Sequence, residues 1–292
     1  MRFTEIGQQL RAYRLESGLR AEEIAARLGV SRAALYRYEK GDVIKLDTIQ
    51  RLAELLKISP LSLLGIGVEY YNRSLAFFER VRQVEETSDQ ITSVGVAICY
   101  LTSSEAYDTL LAEAMFEAAE GAPERASQRA TAEQALGILA ARKRSYGLRR
   151  PNLVHLVSTA RLRALLAGGI AAALPLSERT RRQCRAVAAA EIEGVAQMME
   201  AEPMGLQFGV VPSEDPTATF EVHRARDRAT VAINPFQPDS LGATPGGVAM
   251  VTGADEAVSA HQRVAQAHWG ESLRGPAGAA YVRNLLAEHL GH

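Results

Sequence analysis

LRAEEIAARLGVSRAALYRYEKG, residues 19–41, is the stretch of sequence that decides the fold of the N-terminal part of the chain. Apolar residues recur at helical spacing in its first half and predict a helix over about 21–28. Gly29 is expected to end this helix, because glycine takes the left-handed backbone conformation of a helix C-terminus without strain. Ser31 carries an oxygen that can cap a second helix, predicted over about 32–40. The stretch therefore predicts two short helices joined by a tight turn.

The second of these helices has a buried side and an outward side. Leu35 and Tyr38 lie at a spacing that turns them toward the first helix. The outward side carries Arg32, Ala33, Tyr36 and Arg37. Two helices joined in this way are typical of a helix-turn-helix, whose second helix enters the major groove of DNA.

The stretch resembles the phage repressor/Cro-type helix-turn-helix of the XRE family of bacterial regulators. The resemblance covers about residues 3–64, and it is carried by Gly29, Val30, Ser31, Tyr38, Glu39 and Gly41. It implies an all-α domain of five helices that binds DNA. It also implies a salt bridge between Arg14 and Glu39 that ties the first helix of the domain to the end of the recognition helix. The alternative is that these two residues are unrelated surface charges.

The outward side of the recognition helix carries side chains suited to DNA bases. Arg32 and Arg37 each present a guanidinium fork that can bind the O6 and N7 atoms of guanine. Ala33 can touch a thymine methyl group, and Tyr36 can reach a base edge or a phosphate. The alternative is that one or both arginines contact only phosphates or solvent.

Other expected DNA contacts lie around the recognition helix. Arg20 precedes the first helix of the pair, where it can meet a phosphate together with the N-terminal amides of that helix. Ala21 stands where the family often has Gln, and this departure removes one side chain that could grip DNA. Lys40 and Lys45 flank the loop after the recognition helix and come near the DNA backbone if docking follows the family. The expected DNA-binding residues are Arg20, Ala21, Ser31, Arg32, Ala33, Tyr36, Arg37, Lys40 and Lys45.

Charge is unevenly distributed along the chain. The 292 residues carry a net charge of −1, but residues 1–64 hold 11 Lys and Arg against 8 Asp and Glu. A positive N-terminal part suits phosphate contacts, whereas the acidic remainder would not bind DNA by charge. No apolar run approaches the roughly 18 residues of a membrane span, and Cys99 and Cys184 alone offer no disulfide framework. We therefore expect a cytoplasmic protein without a membrane segment or secretory signal.

Helical spacing also predicts the other elements of the N-terminal domain. Its first helix is expected over about 4–16, its fourth over about 47–57, and a fifth after Ser59-Pro60. Gly65-Ile66-Gly67 is the expected hinge. A helix predicted over about 68–86 would either serve dimerisation or pack on its own C-terminal domain. The expected domains are 1–64 for DNA binding, 65–87 for the hinge and linker or dimerisation helix, and 88–292 for effector sensing and dimerisation.

The C-terminal part mixes helical and strand periodicity. Strands are predicted over about 153–157, 206–211, 219–223, 230–233 and 248–251, and helices over about 104–119, 123–145, 158–166, 177–200, 255–269 and 276–290. The segment 94–101 is ambiguous between strand and helix. This pattern predicts an α+β or α/β domain with a four- to five-stranded sheet and several helices. The order of these pieces is similar to an uncharacterised effector-type domain that follows the helix-turn-helix in many bacterial regulators.

Motifs for catalysis, cofactors and metals are weak in this sequence. The glycine-rich segment 242–247 lacks the Gly-Lys-Ser/Thr of a phosphate-binding loop, which favours an ordinary loop. His261 and His268 could share a helix face, but no clustered carboxylate or thiol accompanies them. Cys99 and Cys184 could form a redox switch, although plain burial is commoner. We therefore expect no enzyme activity, no cofactor and no metal.

Together these features predict a homodimeric repressor that binds a palindromic operator and senses a small molecule through its C-terminal domain. The weak candidates for walls of an effector pocket are Phe208, Phe220, Phe236, His261 and Trp269. One alternative is a ligand-independent repressor or antitoxin-like regulator, and another is an enzyme domain fused to a DNA-binding head. The large C-terminal domain exceeds what dimerisation needs, which favours the sensor. The missing catalytic constellation counts against the enzyme.

Overall fold

The computed structural model describes residues 3–65, 67–215, 218–236 and 247–290. Its N-terminal part, here called the head, is a bundle of the helices α1 (Phe3–Ser17), α2 (Ala21–Leu28), α3 (Arg32–Glu39), α4 (Leu46–Leu56) and α5 (Pro60–Leu63). Each helix contributes a large, fully buried side chain to the bundle, and these are Leu10, Ile24, Leu35, Leu52 and Leu63. The predicted five-helix domain is therefore confirmed.

The rest of the chain, here called the body, alternates strands and helices. Its elements are β1 (Val68–Tyr71), α6 (Ser74–Glu85), β2 (Gln90–Val94), α7 (Glu105–Glu120), α8 (Arg125–Arg149), β3 (Asn152–Ser158), α9 (Thr159–Gly168), α10 (Glu178–Ala201), β4 (Leu206–Val211), β5 (Phe220–Arg224), β6 (Ala229–Ile233), β7 (Ala249–Thr252), α11 (Asp255–Glu271) and α12 (Gly275–Leu290). This mixture confirms the predicted α+β class. Within the described ranges, no helix combines the length and the apolar character that crossing a membrane requires.

One mixed sheet forms the centre of the body, with strands in the order β1-β7-β6-β5-β2-β3-β4. Strands β2, β3 and β4 run parallel, because helices carry the chain back across the sheet between them. The other neighbours pair antiparallel, so β2 has a parallel neighbour on one side and an antiparallel neighbour on the other. Helices α6–α10 and α12 cover one face of the sheet, and α11 packs on the opposite face.

The structure corrects the predicted elements at two places. The helix predicted over 68–86 is wrong in its first turn, because residues 68–71 form β1 and pair with β7. Burial alternates along β1, and the helix begins only at Ser74. The ambiguous segment 94–101 holds the end of β2, a loop and the start of a 3-10 turn at Tyr100–Thr102. The described residues therefore form seven strands rather than four or five.

The head is fastened to the body by buried polar contacts between α1, β1 and α6. Glu69 lies at the centre of this contact, here called the Glu69 cluster, and its carboxylate accepts hydrogen bonds from Gln9 Nε2 at 2.6 Å and Tyr71 Oη at 2.6 Å. Arg80 of α6 donates to both oxygens of the same carboxylate at 2.8 and 2.9 Å. Tyr13 of α1 stacks on Tyr71 with ring centroids 5.5 Å apart. Residues 68–85 therefore pack within their own chain, while Ile66 of the expected hinge lies outside the described residues.

Candidate nucleic-acid interface

The turn between α2 and α3 has the geometry that the sequence predicts. Gly29 takes a φ of +72° and ends α2 in the left-handed conformation. The Val30 amide donates to the Ala25 carbonyl at 3.0 Å, which closes the last turn of α2. Ser31 Oγ then accepts a hydrogen bond from the Ala34 amide at 3.1 Å and caps α3. The backbone of this turn therefore sets the angle between α2 and α3.

Helix α3 presents a polar face to solvent. Its apolar residue Leu35 is fully buried among the helices of the head. Arg32, Ala33, Arg37 and Lys40 are exposed, and Tyr36 is half-buried. The predicted outward residues are therefore brought together on one accessible side of a short helix, as contact with a DNA groove requires.

The predicted salt bridge joins the C-terminal end of α3 to α1. Arg14 Nε lies 2.5 Å from Glu39 Oε1, and Arg14 Nη2 lies 3.1 Å from Glu39 Oε2. Both side chains are largely buried, so this bidentate pair is shielded from water. The salt bridge that the family resemblance implies is therefore confirmed, and it fixes the C-terminal end of α3 to α1.

In the DNA-free protein the two candidate base-reading arginines make exposed ion pairs. Arg32 Nη1 lies 2.8 Å from Glu22 Oε1, and its guanidinium also donates to Tyr36 Oη at 3.2 Å. Arg37 Nε lies 3.5 Å from Asp42 Oδ2. Exposed ion pairs are worth only about 0–1 kcal/mol, so DNA phosphates and bases can displace these carboxylates at low cost.

Arg20 and Ala21 lie at the start of α2. The Arg20 amide donates to Glu23 Oε2 at 3.0 Å, and the Arg20 side chain is exposed. The Ala21 side chain is buried, so a contact of its methyl group with DNA is excluded and only its backbone could take part. The role of Ala21 in DNA binding stays a prediction, and its side chain faces the core of the head.

The loop between α3 and α4 and the first residue of α4 add two exposed apolar side chains that the sequence reasoning missed. Lys40 and Lys45 are exposed at the two ends of the loop, as a role on the DNA backbone requires. Val43 lies between these lysines and Leu46 directly follows Lys45 as the first residue of α4, and each of the two side chains is 68% exposed. A partner that docks on this face of the head would cover both side chains. The interruption of the amphipathic pattern at these two positions was the available signal.

The five candidates for the effector pocket do not wall one cavity. Phe236 packs on α6 on one face of the sheet, whereas Phe220 packs on His261 of α11 on the other face, with ring centroids 4.8 Å apart. Phe208 and Trp269 line a separate cleft beside the edge strand β4. The expectation of a shared aromatic wall is therefore wrong, because successive strand residues face opposite sides of a sheet.

The histidine, the cysteines and the glycine-rich segment that the sequence analysis considered for metal binding, redox chemistry or phosphate binding are described next. Among the described residues, no group of three His, Cys, Asp or Glu is arranged to hold a metal ion. His261 Nδ1 lies 2.8 Å from the Ala257 carbonyl oxygen. Cys99 and Cys184 are both buried, and burial raises the pKa of the Cys99 thiol to about 12. Residues 242–246 of the glycine-rich segment lie outside the described residues.

Comparison with known proteins assigns the head. Residues 10–63 match the family model described as helix-turn-helix, which covers α2 and α3 and the helices around them. A search of curated proteins found no match for the chain. The match and the exposed basic face of α3 together support a DNA-binding transcription regulator with an XRE-type head.

Proposed function

We propose that this protein is a sequence-specific repressor that binds a palindromic operator as a homodimer and releases it in response to a small molecule. The observation that carries the DNA-binding part is the capped helix α3, which presents Arg32 and Arg37 to solvent beside Lys40 and Lys45. An arginine fork matches the acceptors of guanine, and the lysines suit phosphates. Action on operator DNA implies a cytoplasmic protein.

Dimerisation follows from the reach of one recognition helix. A single helix in the major groove reads only a few base pairs, and two heads related by a two-fold axis read half-sites about one helical turn apart. We place the contact between the two subunits on the body, which exposes the large apolar side chains Leu148 and Met204. A dimer formed through the body would set the spacing between the two heads.

Ligand control requires that the body can bias the position of the heads. The Glu69 cluster supplies a direct connection, because Gln9 of the head and Arg80 of the body bind the same buried carboxylate. A ligand that favours a body conformation in which this contact is altered weakens operator binding by its differential affinity, typically about 1–3 kcal/mol.

The DNA-binding part is tested by selecting operator sequences from random DNA and measuring variants by fluorescence anisotropy. Arg32→Ala and Arg37→Ala should each cost about 1–3 kcal/mol on the selected operator and relax the preference at one base position. Lys45→Ala should weaken all sequences alike and lower the salt slope by about one.

Arg163→Ala is the matched control, because Arg163 is an exposed arginine in an ion pair on the body. It should bind the operator as the unchanged protein does. Base reading by α3 is refuted if both variants in α3 behave like this control.

A further inference from the structure

The body contains a cavity of about 320 Å³ beside the ends of the parallel strands β2 and β3. Its wall is formed by the segment that follows β2, by α9, which follows β3, and by the turn that follows α9. Strand pairing changes from parallel to antiparallel at β2, because β2 pairs parallel with β3 and antiparallel with β5. Small-molecule sites in α/β sheets commonly lie outside the carboxyl ends of strands where the sheet topology switches.

The sheet provides a polar floor beneath this cavity. Glu221 of β5, Ser93 of β2 and His155 of β3 are directly opposite one another in the strand register and share one face. Ser93 lines the cavity and is only 1% exposed, yet its hydroxyl has no hydrogen-bond partner within the described residues. A buried hydroxyl without a partner costs about 1–3 kcal/mol, and a polar group of a ligand placed beside this atom would recover that cost.

The charges around the floor favour a cationic ligand group at Glu221. Arg142 of α8 is committed to a bidentate pair with Glu85 at 2.9 and 2.7 Å, and it lies 3.9 Å from Glu221. Glu221 lines the cavity with 17% of its side chain exposed, although helices cover this face of the sheet. Arg142 also lines the cavity, but this one arginine faces the two carboxylates of Glu85 and Glu221, so the group keeps a net negative charge beside the cavity.

Glu221 is held in its charged form. Burial raises its pKa, but the hydrogen bond with His223 and the charge of Arg142 outweigh burial and lower the pKa below the ordinary value of glutamate. His223 Nε2 lies 3.1 Å from Glu221 Oε2. A carboxylate that stays ionised beside an apolar cavity binds a cation more strongly than it would in water, because the surroundings screen less.

The remaining wall is mainly apolar. Phe78, Ile98, Leu165 and Ile170 contribute aliphatic and aromatic surface. Arg161 at the first turn of α9 lines the same cavity. The cavity thus combines a small polar floor with an apolar wall, which is the usual composition of a site for a small organic molecule.

We propose that this cavity binds a small molecule that carries a protonated amino group on an apolar body, with the amino group at Glu221 and Ser93. An effect of this ligand on DNA binding rests on the proposed sensor function. The binding of the ligand itself is argued only from the residues of the cavity. A simple amine and an amino acid share this chemistry, and in the second case the ligand carboxylate would pair with Arg161, which lines the same cavity.

Calorimetric titration of the full-length protein with three matched probes tests the proposal. Leucine, 3-methylbutylamine and 4-methylpentanoate share one apolar body, and the second lacks the carboxylate while the third lacks the amino group. We expect the first two to bind and the third not to bind. Tighter binding of leucine than of the amine identifies an amino-acid site, and the reverse identifies a simple amine site. Binding of the carboxylate alone, or of none of the three, overturns the proposal.

Variants connect this binding to the cavity. Glu221→Gln should lower the affinity for the amine about tenfold or more, because it removes the charge and keeps the shape. Glu178→Gln is the control, since Glu178 pairs with Arg185 on the surface, and it should leave the affinity unchanged. Should Glu221→Gln fail to fold, Ala164→Leu narrows the cavity from the exposed side of α9 and should also abolish binding. Unchanged affinity in either cavity variant refutes the site.

The binding site and the sensor function can fail separately. Operator affinity is measured in the same samples with and without the bound probe. A probe that binds through Glu221 without changing operator affinity supports the site and refutes the sensor. Release of DNA by an effector that binds equally to Glu221→Gln supports the sensor and refutes this site.

Discussion

Gly29 ends α2 with a φ of +72°, and a Cβ atom added there would meet no other atom within 4 Å. Its requirement for glycine therefore comes from the backbone conformation and not from a lack of space. At the scale of single residues, this position fixes the turn between α2 and α3, and His155 contributes to the sensitivity of the body to acid.

Gly29→Ala should lower the free energy of unfolding by about 1 kcal/mol, because an L-residue is strained at positive φ. Gly137→Ala is the matched control, because Gly137 lies in the interior of α8 on its exposed side and an added Cβ would also meet nothing within 4 Å. In a helical conformation the same change should stabilise by about 0.4–1 kcal/mol. Thermal unfolding of both variants measures this, and effects of the same sign would contradict the backbone argument.

His155 should make the folded protein sensitive to acid. Burial lowers its pKa to about 4, whereas a histidine in an unfolded chain has a pKa of about 6.5. Between these values the unfolded chain binds a proton that the folded protein does not, so stability is lost as the pH falls from about 6.5 to about 4. By about pH 5 the loss from this residue should be roughly 2 kcal/mol.

Comparison with His155→Gln separates this effect from other titrations. The variant removes the ring, so its melting temperature should fall less between about pH 7 and pH 5 than that of the unchanged protein. Parallel pH profiles for the two proteins would show that His155 is not buried in a neutral form.

At the scale of elements, α1 and α6 form the contact between head and body. Gln83 of α6 donates to the Gln8 carbonyl of α1 at 3.1 Å, and Arg11 of α1 lies 3.0 Å from the buried Glu79 of α6. Glu16 at the end of α1 accepts hydrogen bonds from the Asn72 and Arg73 amides that precede α6. The two helices thus share polar contacts along their length, in addition to the Glu69 cluster.

Glu69→Ala should destabilise the protein by roughly 3 kcal/mol, because it leaves the mostly buried Arg80 without its carboxylate. Glu86→Ala is the control, since it removes a more exposed carboxylate from the surface pair with Arg82 and should cost about 0–0.5 kcal/mol. Denaturant unfolding compares the two. Hydrogen exchange of the α1 amides should also rise in Glu69→Ala, and equal effects of the two changes would show that the Glu69 cluster does not hold the head.

At the scale of the whole molecule, the head does not depend on a free linker for its position. Buried contacts join residues of the head, such as Gln9, to residues of the body, such as Glu69. A dimer formed through the body would therefore hold both heads at a set distance. A rigid pair of heads tolerates little change in the spacing of the two DNA half-sites.

Insertions between the half-sites of a selected operator test this rigidity. About five extra base pairs turn the second half-site to the opposite side of the duplex and should reduce binding to that of a single half-site. About ten extra base pairs return the second half-site to the same side of the duplex but increase the distance between the half-sites, so binding should recover only in part. Sedimentation of the full-length protein should show a dimer, and binding that is insensitive to spacing would point to independent heads.

The local elements of this protein were predictable from its sequence because they depend on neighbours a few residues apart. The left-handed turn at Gly29, the Ser31 cap and the five predicted C-terminal strands all arise from local backbone and periodic side-chain preferences. β1 escaped prediction because Tyr71 and the apolar residues of α6 happen to continue a helical spacing across the strand end.

Only the tertiary structure decided what these elements bring together. Ala21 is buried and Val43 is exposed because of how the helices of the head pack. The row of Glu221, Ser93 and His155 draws on three strands that are far apart in the chain, and β5 joins β2 without any local signal for that pairing. Strand register is set by long-range packing of side chains against the covering helices. The sequence therefore determined the helix-turn-helix and its basic face, whereas the cavity and its charged floor exist only because the sheet assembles in this order.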